Sequence, residues 1–591
     1  MTEHILVCTA WPYANGDLHI GHLAGAYLPP DIFARYHRLK GNKVLMVSGS
    51  DSHGTPITLR ADKEGVSPRE LFERFHNSFL ETFQQIGLTY DLFTHTDTEN
   101  HAQVSQDIFT ACLENDYLFK KTEKQFFSET ENRFLADRYI EGTCPHCDFE
   151  GARGDQCDNC GKLLEPTELV NPRSKNDGST PILRETEHFY LDLGALSDGV
   201  SDYLNDEKTH WRANVRNFSL GYLKEGLRGR PITRDISWGI PIPLEGYDTK
   251  RLYVWFEAVI GYFSGSIEWA KNSGDPSAWK AWWYDPSAKS YYFIGKDNIP
   301  FHAVIWPAEL LATGRRLYET DENKSLNLPY DVPANEYLNM EGAKLSTSRN
   351  WAIWAPDLLS RYDADAVRFY LTAIAPETRD TDFTFADFIR RNNDELVAAW
   401  GNLVNRVLGF AYKRYEGQVP PIGPAGLDEA DKQILAEVEA GFETIGNLLG
   451  AVKLKAAQEE ALRLSRLTNV YLNDKAPWKA FKENPVAAGT SIYVALRVID
   501  NLKILFAPFL PHTCQKLHEY LGYEGQLFGR QYTQTFAETE QEHTALCYDN
   551  SQAIGRWKPS QLPTGQAMQK PGPLFKKLEP ELAEEELAKL L

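Results

Sequence analysis

Residues 4–51 run HILVCTAWPYANGDLHIGHLAGAYLPPDIFARYHRLKGNKVLMVSGSD. Ile5 to Ala10 is a short apolar run of the length of a buried strand. Trp11 to Asp17 is a turn-prone loop carrying Pro12, Asn15 and Gly16. A helical pattern follows from about Leu18 to Leu39, with Gly41 as its stop. Lys43 to Val47 is a second strand, ending at Ser48-Gly49-Ser50-Asp51. Strand, loop, helix and strand at this spacing make a βαβ unit, which implies a parallel sheet of Rossmann type.

The chain around this unit has 591 residues. At about 150 residues per domain that is roughly four structural units. Hydrophobic residues at 42% and charged residues at 24% exclude a mainly disordered chain, a collagen-like repeat and a small disulfide scaffold. No stretch approaches a membrane span, and the N-terminus lacks the basic and apolar regions of a secretory signal, so the expected location is the cytoplasm. The net charge is −20. Net charge bears on solubility and long-range repulsion, so a nucleic-acid site must be a local basic face on an acidic body.

Residues from about 116 to 230 change character and read as an insertion. Strand-like runs return at Leu252–Trp255 and Ser290–Ile294. Beyond about 385, long segments with helical spacing cover 386–415, 428–466 and 484–508, an all-helical domain. From about 557 the chain is rich in Pro and Lys, then acidic, and reads as a tail with one short terminal helix.

Three clusters carry chemistry. His19-Ile20-Gly21-His22 opens the first helix. Two imidazoles three apart share a face, free N–H groups at a helix start favour phosphate, and Gly21 admits a close approach. An ordinary pair of polar surface residues is the competing reading. Lys344-Leu-Ser-Thr-Ser-Arg-Asn350, after Gly342, is a loop whose lysine can bring a point charge to a leaving pyrophosphate. A solvated loop competes there. Cys144-x2-Cys147-x9-Cys157-x2-Cys160 has the spacing of a tetrahedral site of four thiolates for Zn²⁺. Four protein ligands close the sphere, so that metal would be structural, one per chain. Two disulfides are the weaker alternative in a reducing compartment.

The first two clusters, in this order and about 320 residues apart, resemble the HIGH and KMSKS motifs of class I aminoacyl-tRNA synthetases. Trp11-Pro-Tyr-Ala-Asn-Gly16, Ser50-Asp-Ser-His-Gly-Thr-Pro56, Arg234-Asp-Ile-Ser-Trp-Gly-Ile-Pro241, Val254-Trp-Phe-Glu-Ala-Val-Ile-Gly-Tyr262 and Phe293-Ile-Gly-Lys-Asp297 are similar to the methionyl-tRNA synthetase family. The resemblance covers roughly residues 4 to 510. It implies ATP-dependent activation of methionine to methionyl-adenylate and its transfer to the 3′ end of tRNA(Met), initiator and elongator alike, with Mg²⁺ accompanying ATP. By motif, the catalytic residues would be His19, His22 and Lys344. ATP would be held by these with Gly21, Gly295, Asp297, Ser346, Thr347 and Ser348. Methionine would be held by Asp51 at its ammonium and by Tyr13, Trp255, Ala258, Tyr262 and His302 around its side chain. Asn402, Arg406 and Trp478 would read the anticodon, the first two by polar contacts to base edges and the tryptophan by stacking. Arg390, Arg391, Lys413, Arg414, Lys453 and Lys455 would supply the basic face.

On this resemblance the chain divides into a catalytic Rossmann domain at 1–115 and 233–335, split by a zinc-binding insertion at 116–232. A linking segment with the KMSKS-like loop at 336–390, a helical anticodon-binding domain at 391–550 and a tail at 551–591 follow. The insertion is too short for a separate editing domain, and a monomer is expected. Four departures stand out. Thr347 replaces the second lysine of KMSKS, Trp11 a usual leucine, Val259 a frequent proline, and Asn298 a frequent isoleucine. They bear on pocket shape and affinity. A catalytically silent RNA-binding relative, or a synthetase of another specificity, are the alternatives. The intact His19, His22 and Lys344 argue against the first, and the 50–56 and 254–262 segments against the second.

Overall fold

The computed structural model describes residues 2–136, 139–154, 157, 159–160, 164, 166–206, 208–346 and 351–590. Its centre is a seven-stranded sheet. The first strand, β1 (His4–Thr9), is buried on both sides, with Ile5, Leu6, Val7 and Cys8 fully inaccessible. Alternate side chains therefore enter different cores, as a parallel strand covered on both faces requires. Ile5 and Val7 join a core that continues through Trp400, Leu449 and Leu505. Leu6 and Cys8 join one with Phe263, Trp283 and Trp306.

The expected helix is three helical pieces in a row: α1 (Ile20–His22), a π-helical turn Leu23–Tyr27, and α2 (Leu28–Lys40). Gly41 ends it in the left-handed conformation, φ 85°, where a side chain would be strained. Strand β2 (Lys43–Ser50) pairs parallel to β1. After it come α3 (Thr55–Glu64), α4 (Pro68–Ile86), β3 (Leu92–His95) and α5 (Glu99–Glu114).

The insertion has two sheets of its own. In one, Leu118–Ser128 pairs antiparallel with Ile182–Leu191. The other is small, built from Ile140–Thr143, Ala152–Arg153 and Val170–Ser174. The strand expected at Leu252–Trp255 is only partly there. Arg251–Leu252 pairs with Thr233–Arg234, and Val254 already begins helix α6 (Val254–Asn272). The run of apolar residues is a buried helix here, a case that periodicity alone does not separate from a strand.

The sheet resumes with β4 (Lys289–Gly295) and β5 (Ala334–Asn335). Leu338–Met340, Ala343–Lys344 and Thr381–Phe383 then form a three-stranded sheet. The helical part includes α7 (Asn402–Arg414), α8 (Glu429–Gly450), α9 (Leu454–Lys475) and α10 (Pro485–Phe506). The segment expected to be one helix over 428–466 breaks between α8 and α9, where Val452 takes φ 54°.

The helical reading also ends early. Strands β6 (Arg530–Ala537) and β7 (Glu542–Asp549) form a hairpin whose β7 pairs antiparallel with β3. Strand order is β5-β4-β1-β2-β3-β7-β6. The tail closes with helix α11 (Leu582–Leu590). Among the described residues no helix is long and apolar enough to cross a membrane.

Candidate active site and metal centre

In this strand order the chain reverses direction between β1 and β4. Crevices outside the carboxyl ends of the strands at such a point are where open α/β sheets bind ligands. A cavity of about 420 Å³ opens there. Its walls are the loop after β1, the α1 start, the loop after β2, α6, the segment after β4 and the strand ending at Lys344. His19, Gly21, His22, Gly295, Asp297 and Lys344 line it, and so do Tyr13, Asp51, Trp255, Ala258, Tyr262 and His302. Ser346 lies at the base of the loop, its backbone paired with Trp351 at 3.0 and 2.9 Å. Thr347 and Ser348, with Arg349 and Asn350, fall outside the described residues.

The spacing of His19 and His22 has a local cause. His19 is the N-cap of α1, and its Nδ1 accepts from the Gly21 N–H at 3.1 Å. The Nδ1 of His22 accepts from the His19 N–H at 3.2 Å. This is a reciprocal capping box in which imidazoles replace the usual hydroxyl and carboxylate. The rings stack with centroids 3.7 Å apart. Burial pulls the His19 pKa down to about 4, and burial with the neighbouring imidazole holds His22 well below its ordinary value. Both rings are neutral, and with Nδ1 accepting, each carries its proton on Nε2. The pair presents two N–H donors and no charge. A β-carbon on Gly21 would lie 2.8 Å from Leu345 and 2.9 Å from the His19 ring, so the glycine is required by packing as well as by access.

The base of the Lys344 loop docks on this turn. Ile353 accepts from the Ile20 N–H at 3.0 Å, and Leu18 accepts from the Ala355 N–H at 2.7 Å. Lys344 is exposed, with its Nζ 4.8 Å from the centre of the Tyr337 ring. The Tyr337 hydroxyl donates to Asp297. Lys296 is committed elsewhere, to Glu336 at 2.7 Å and Asp380 at 3.1 Å.

On the opposite wall, Asp51 is buried and tied to the β1 loop: its N–H donates to Pro12 at 2.7 Å, and its carbonyl accepts from Ala14 at 3.0 Å. Burial and the nearby Glu257 carboxylate push its pKa well above the carboxylate range. A cation arriving beside it would relieve that. Trp255 stacks on Phe301 with centroids 4.2 Å apart and meets Tyr13 edge-on at 6.1 Å. His302 Nδ1 donates to the Asn298 carbonyl at 2.9 Å, so its Nε2 accepts from the Tyr262 hydroxyl at 2.7 Å. Burial lowers the His302 pKa to about 4. This end is a neutral aromatic slot that suits a polarizable thioether.

Motif reading missed the layer behind Asp51. His53, Glu257, Asp97 and His101 form a buried polar network there. Two of its members lay inside quoted segments, at 50–56 and 254–262. A buried His or Glu gives no signal of its own until its partner, 204 residues away for this pair, is known.

The four cysteines of the insertion converge. Their sulfurs all lie within 4.8 Å of one another, with Cys144 and Cys160 at 3.9 Å and Cys147 and Cys157 at 3.6 Å. Four thiolates about 2.3 Å from a tetrahedral Zn²⁺ have sulfurs about 3.8 Å apart. No disulfide joins any of the eight cysteines. The Asn159 side chain and the Phe149 N–H bring the Cys147 thiol down to about 6, toward the thiolate a metal needs. The donor set fits a structural zinc. Of the aspartates nearby, Asp155 and Asp158 lie outside the described residues.

Far along the chain, Asn402 and Arg406 are exposed one turn apart on α7. The Arg406 guanidinium lies 5.0 Å over the Trp478 ring. The expected basic face is only partly available. Arg390 and Arg391 pair with Asp387, and Arg391 also with Glu395, because acids one helical turn away compete for them. Lys413 and Lys453 are exposed.

Known proteins resemble this chain in sequence and in fold. Residues 5–408 match the family model described as tRNA synthetases class I (M), and residues 419–551 the one described as the anticodon binding domain of methionyl tRNA ligase. The chain is 54% identical over 593 residues to the methionine–tRNA ligase of Thermomicrobium roseum, covering 100% of this chain and 99% of that one. It is 54% identical over 603 residues to that of Chloroflexus aggregans, with the same coverage. Among solved structures, a Mycobacterium tuberculosis methionyl-tRNA synthetase with methionyl-adenylate bound matches with a TM-score of 0.75 over 98% of this chain and 100% of that one. Its 21% identity makes that a likeness of fold.

Proposed function

The chain belongs to the class I tRNA synthetases, in their methionine branch, and from that premise we propose how its residues divide the work of an ATP-dependent methionine–tRNA ligase. The observation that carries the reading is one cavity. It joins two neutral imidazole donors and a loop lysine on one side to a buried carboxylate and an aromatic slot on the other.

Methionine enters with its ammonium on Asp51 and its thioether among Tyr13, Trp255, Ala258, Tyr262 and His302. ATP lies over the α1 start, with its adenosine end toward Gly295 and Asp297. A methionine carboxylate oxygen attacks the α-phosphorus, and the bond to the bridging oxygen of diphosphate breaks. Negative charge builds on the phosphate oxygens, where the Nε2–H groups of His19 and His22 donate. The rings carry no charge themselves, so on the protein's side neutralisation falls to Lys344, and Mg²⁺ bound with ATP would add further positive charge. With Thr347 in place of a second lysine, Lys344 bears more of the neutralisation. This is positioning and electrostatic stabilisation without a covalent enzyme intermediate. The 3′-terminal ribose hydroxyl of tRNA(Met) then attacks the methionyl carbonyl and AMP leaves.

Asn402, Arg406 and Trp478 take the anticodon, with the arginine–tryptophan stack supporting that role. Cys144, Cys147, Cys157 and Cys160 would hold a zinc, which would stabilise the knuckle of the insertion from outside the reacting cavity. The described residues that line the cavity come from one chain, in keeping with a monomer, and the proposed location is the cytoplasm. Methionine-dependent exchange of diphosphate into ATP tests the reading. Exchange with methionine alone among the amino acids is expected, and exchange driven by a different amino acid, or none, overturns it.

A further inference from the structure

Behind Asp51 the fold buries more carboxylates than one substrate ammonium needs. Asp51 is 3% exposed, His53 3% and Glu257 0%. The Asp51 carboxylate accepts from the His53 N–H at 3.2 Å. The His53 ring is held on both nitrogens: Nδ1 is 2.8 Å from Glu257 on α6, and Nε2 is 3.6 Å from Asp97 in the loop after β3. Asp97 is backed by Arg69 of α4 at 2.7 Å. Its carbonyl accepts from the Gln541 side chain, in the turn of the C-terminal hairpin, at 3.0 Å. The other Glu257 oxygen makes no hydrogen bond among the described residues and faces His101 of α5 at 3.7 Å. Trp238 covers the His53 ring edge-on at 5.7 Å.

We propose that His53 is a positioning residue for methionine, an imidazolium that cancels the Glu257 carboxylate so that Asp51 is the carboxylate left to ionise against the arriving substrate ammonium. The inference rests on the assignment of Asp51 to the substrate ammonium. Asp51, Asp97 and Glu257 are three carboxylates, and His53 and Arg69 are two cations. One negative charge remains, which the ammonium matches. Two neighbouring buried carboxylates without a cation between them do not both ionise, and a protonated Asp51 has lost its charge for the ammonium. Burial works against charge on His53, but Glu257 and Asp97 raise its pKa to about 10. His95 of β3 and His101 are the other titratable groups facing the network, and burial holds His95 well below its ordinary value. Glu257 sits between Trp255 and Ala258 in sequence, so the same ion pair also fixes the α6 wall of the slot.

The test is a charge-neutralising double-mutant cycle read by methionine-dependent diphosphate exchange. His53→Gln is expected to raise the KM for methionine about tenfold or more, with kcat at saturating methionine and the KM for ATP within about twofold. Glu257→Gln alone removes a needed negative charge and raises the methionine KM as well. The double variant H53Q/E257Q restores the balance, and its methionine KM returns to within about threefold of the parent. Burial opposes the Asp51 charge in the parent too, so the methionine KM falls as pH rises in both proteins, and that of H53Q is expected to fall over a more alkaline range. A double variant no better than the worse single overturns the proposal. So does an H53Q variant that loses kcat and ATP binding in proportion, which marks a merely structural histidine. If H53Q alone does not fold, E257Q against the double variant decides, and a double variant that fails to fold where E257Q folds counts against it. A parent enzyme without methionine-dependent exchange would strike the functional reading instead.

Discussion

The indole of Trp11 occupies space that side chains on two other elements would fill. A β-carbon on Gly261 would lie 2.6 Å from it and one on Gly49 2.3 Å. The tryptophan after β1 is therefore packed directly against glycines on α6 and β2. Gly261→Ala overpacks the site, at a cost of about 1–3 kcal/mol in stability, and is expected to raise the methionine KM. Adding Trp11→Leu should recover most of that loss in the same exchange assay. The imidazoles of the α1 turn make a different prediction. On their proposed role as neutral donors, His22→Ala should lower the exchange rate about 10²-fold with little change in methionine KM. His19 takes its proton at about 4 in the fold and near 6.5 when unfolded. The unfolded chain thus binds more protons between those values, and the folded state loses stability as pH falls from about 6.5 toward 4. Calorimetry across that window, comparing the parent with His19→Gln, should show a smaller acid loss in the variant.

At the scale of elements, legibility followed chain proximity. The capping turn at His19–His22 and the two Cys-x2-Cys knuckles are contiguous, so their spacing encodes geometry that local backbone rules enforce. The His53–Glu257 pair and the Trp11–Gly261 packing join elements about 200 or more residues apart, and no local pattern announces them. The strand expected at Leu252–Trp255 failed for a related reason: four apolar residues fit a strand or a buried helix equally, and the helix was decided by the long apolar stretch that carries it on to Asn272. Two elements carry their own tests. The zinc knuckle has little apolar core beyond residues such as Ile140, Ala152 and Leu169, so the metal should supply much of its folding energy. Cys144→Ser, or a strong chelator, is expected to release one zinc per chain by mass spectrometry and to raise hydrogen exchange over 140–174. On α7, Arg406 over Trp478 is a ready-made stack. Trp478→Ala should weaken tRNA charging by about tenfold or more while sparing diphosphate exchange. An equal loss in both would mark the tryptophan as packing.

For the whole molecule, the chain after the helical bundle returns to the parts that precede it. The 530–549 hairpin extends the central sheet beside β3, pairing with a strand some 450 residues earlier in the sequence. The first strand of the hairpin is largely exposed and the second mostly buried, so neither shows the alternation that marks a half-buried strand. The tail continues this stitching. Trp557 donates to the Phe442 carbonyl on α8 at 2.9 Å, and the Leu578 N–H donates to Asn393, ahead of α7, at 2.9 Å. Glu586 on α11, only 3% exposed, accepts from Arg361 at 2.9 Å and from Tyr362 at 3.1 Å. Arg361 ends the helix Ala355–Arg361, which comes directly after the Lys344 loop. The last residues thus brace the loop's own helix and the first helices of the anticodon bundle, the two parts whose relative placement would decide whether a tRNA held at the proposed Trp478 site also reaches the cavity. Glu586→Ala leaves Arg361 against the tail without this carboxylate and loosens that brace. Charging of tRNA should then fall severalfold while methionine-dependent exchange stays near the parent rate, since every residue lining the cavity is untouched. Measured side by side, parallel losses would instead mean that the tail stabilises the catalytic fold as a whole, and unchanged charging would mean that the bundle holds its position without it.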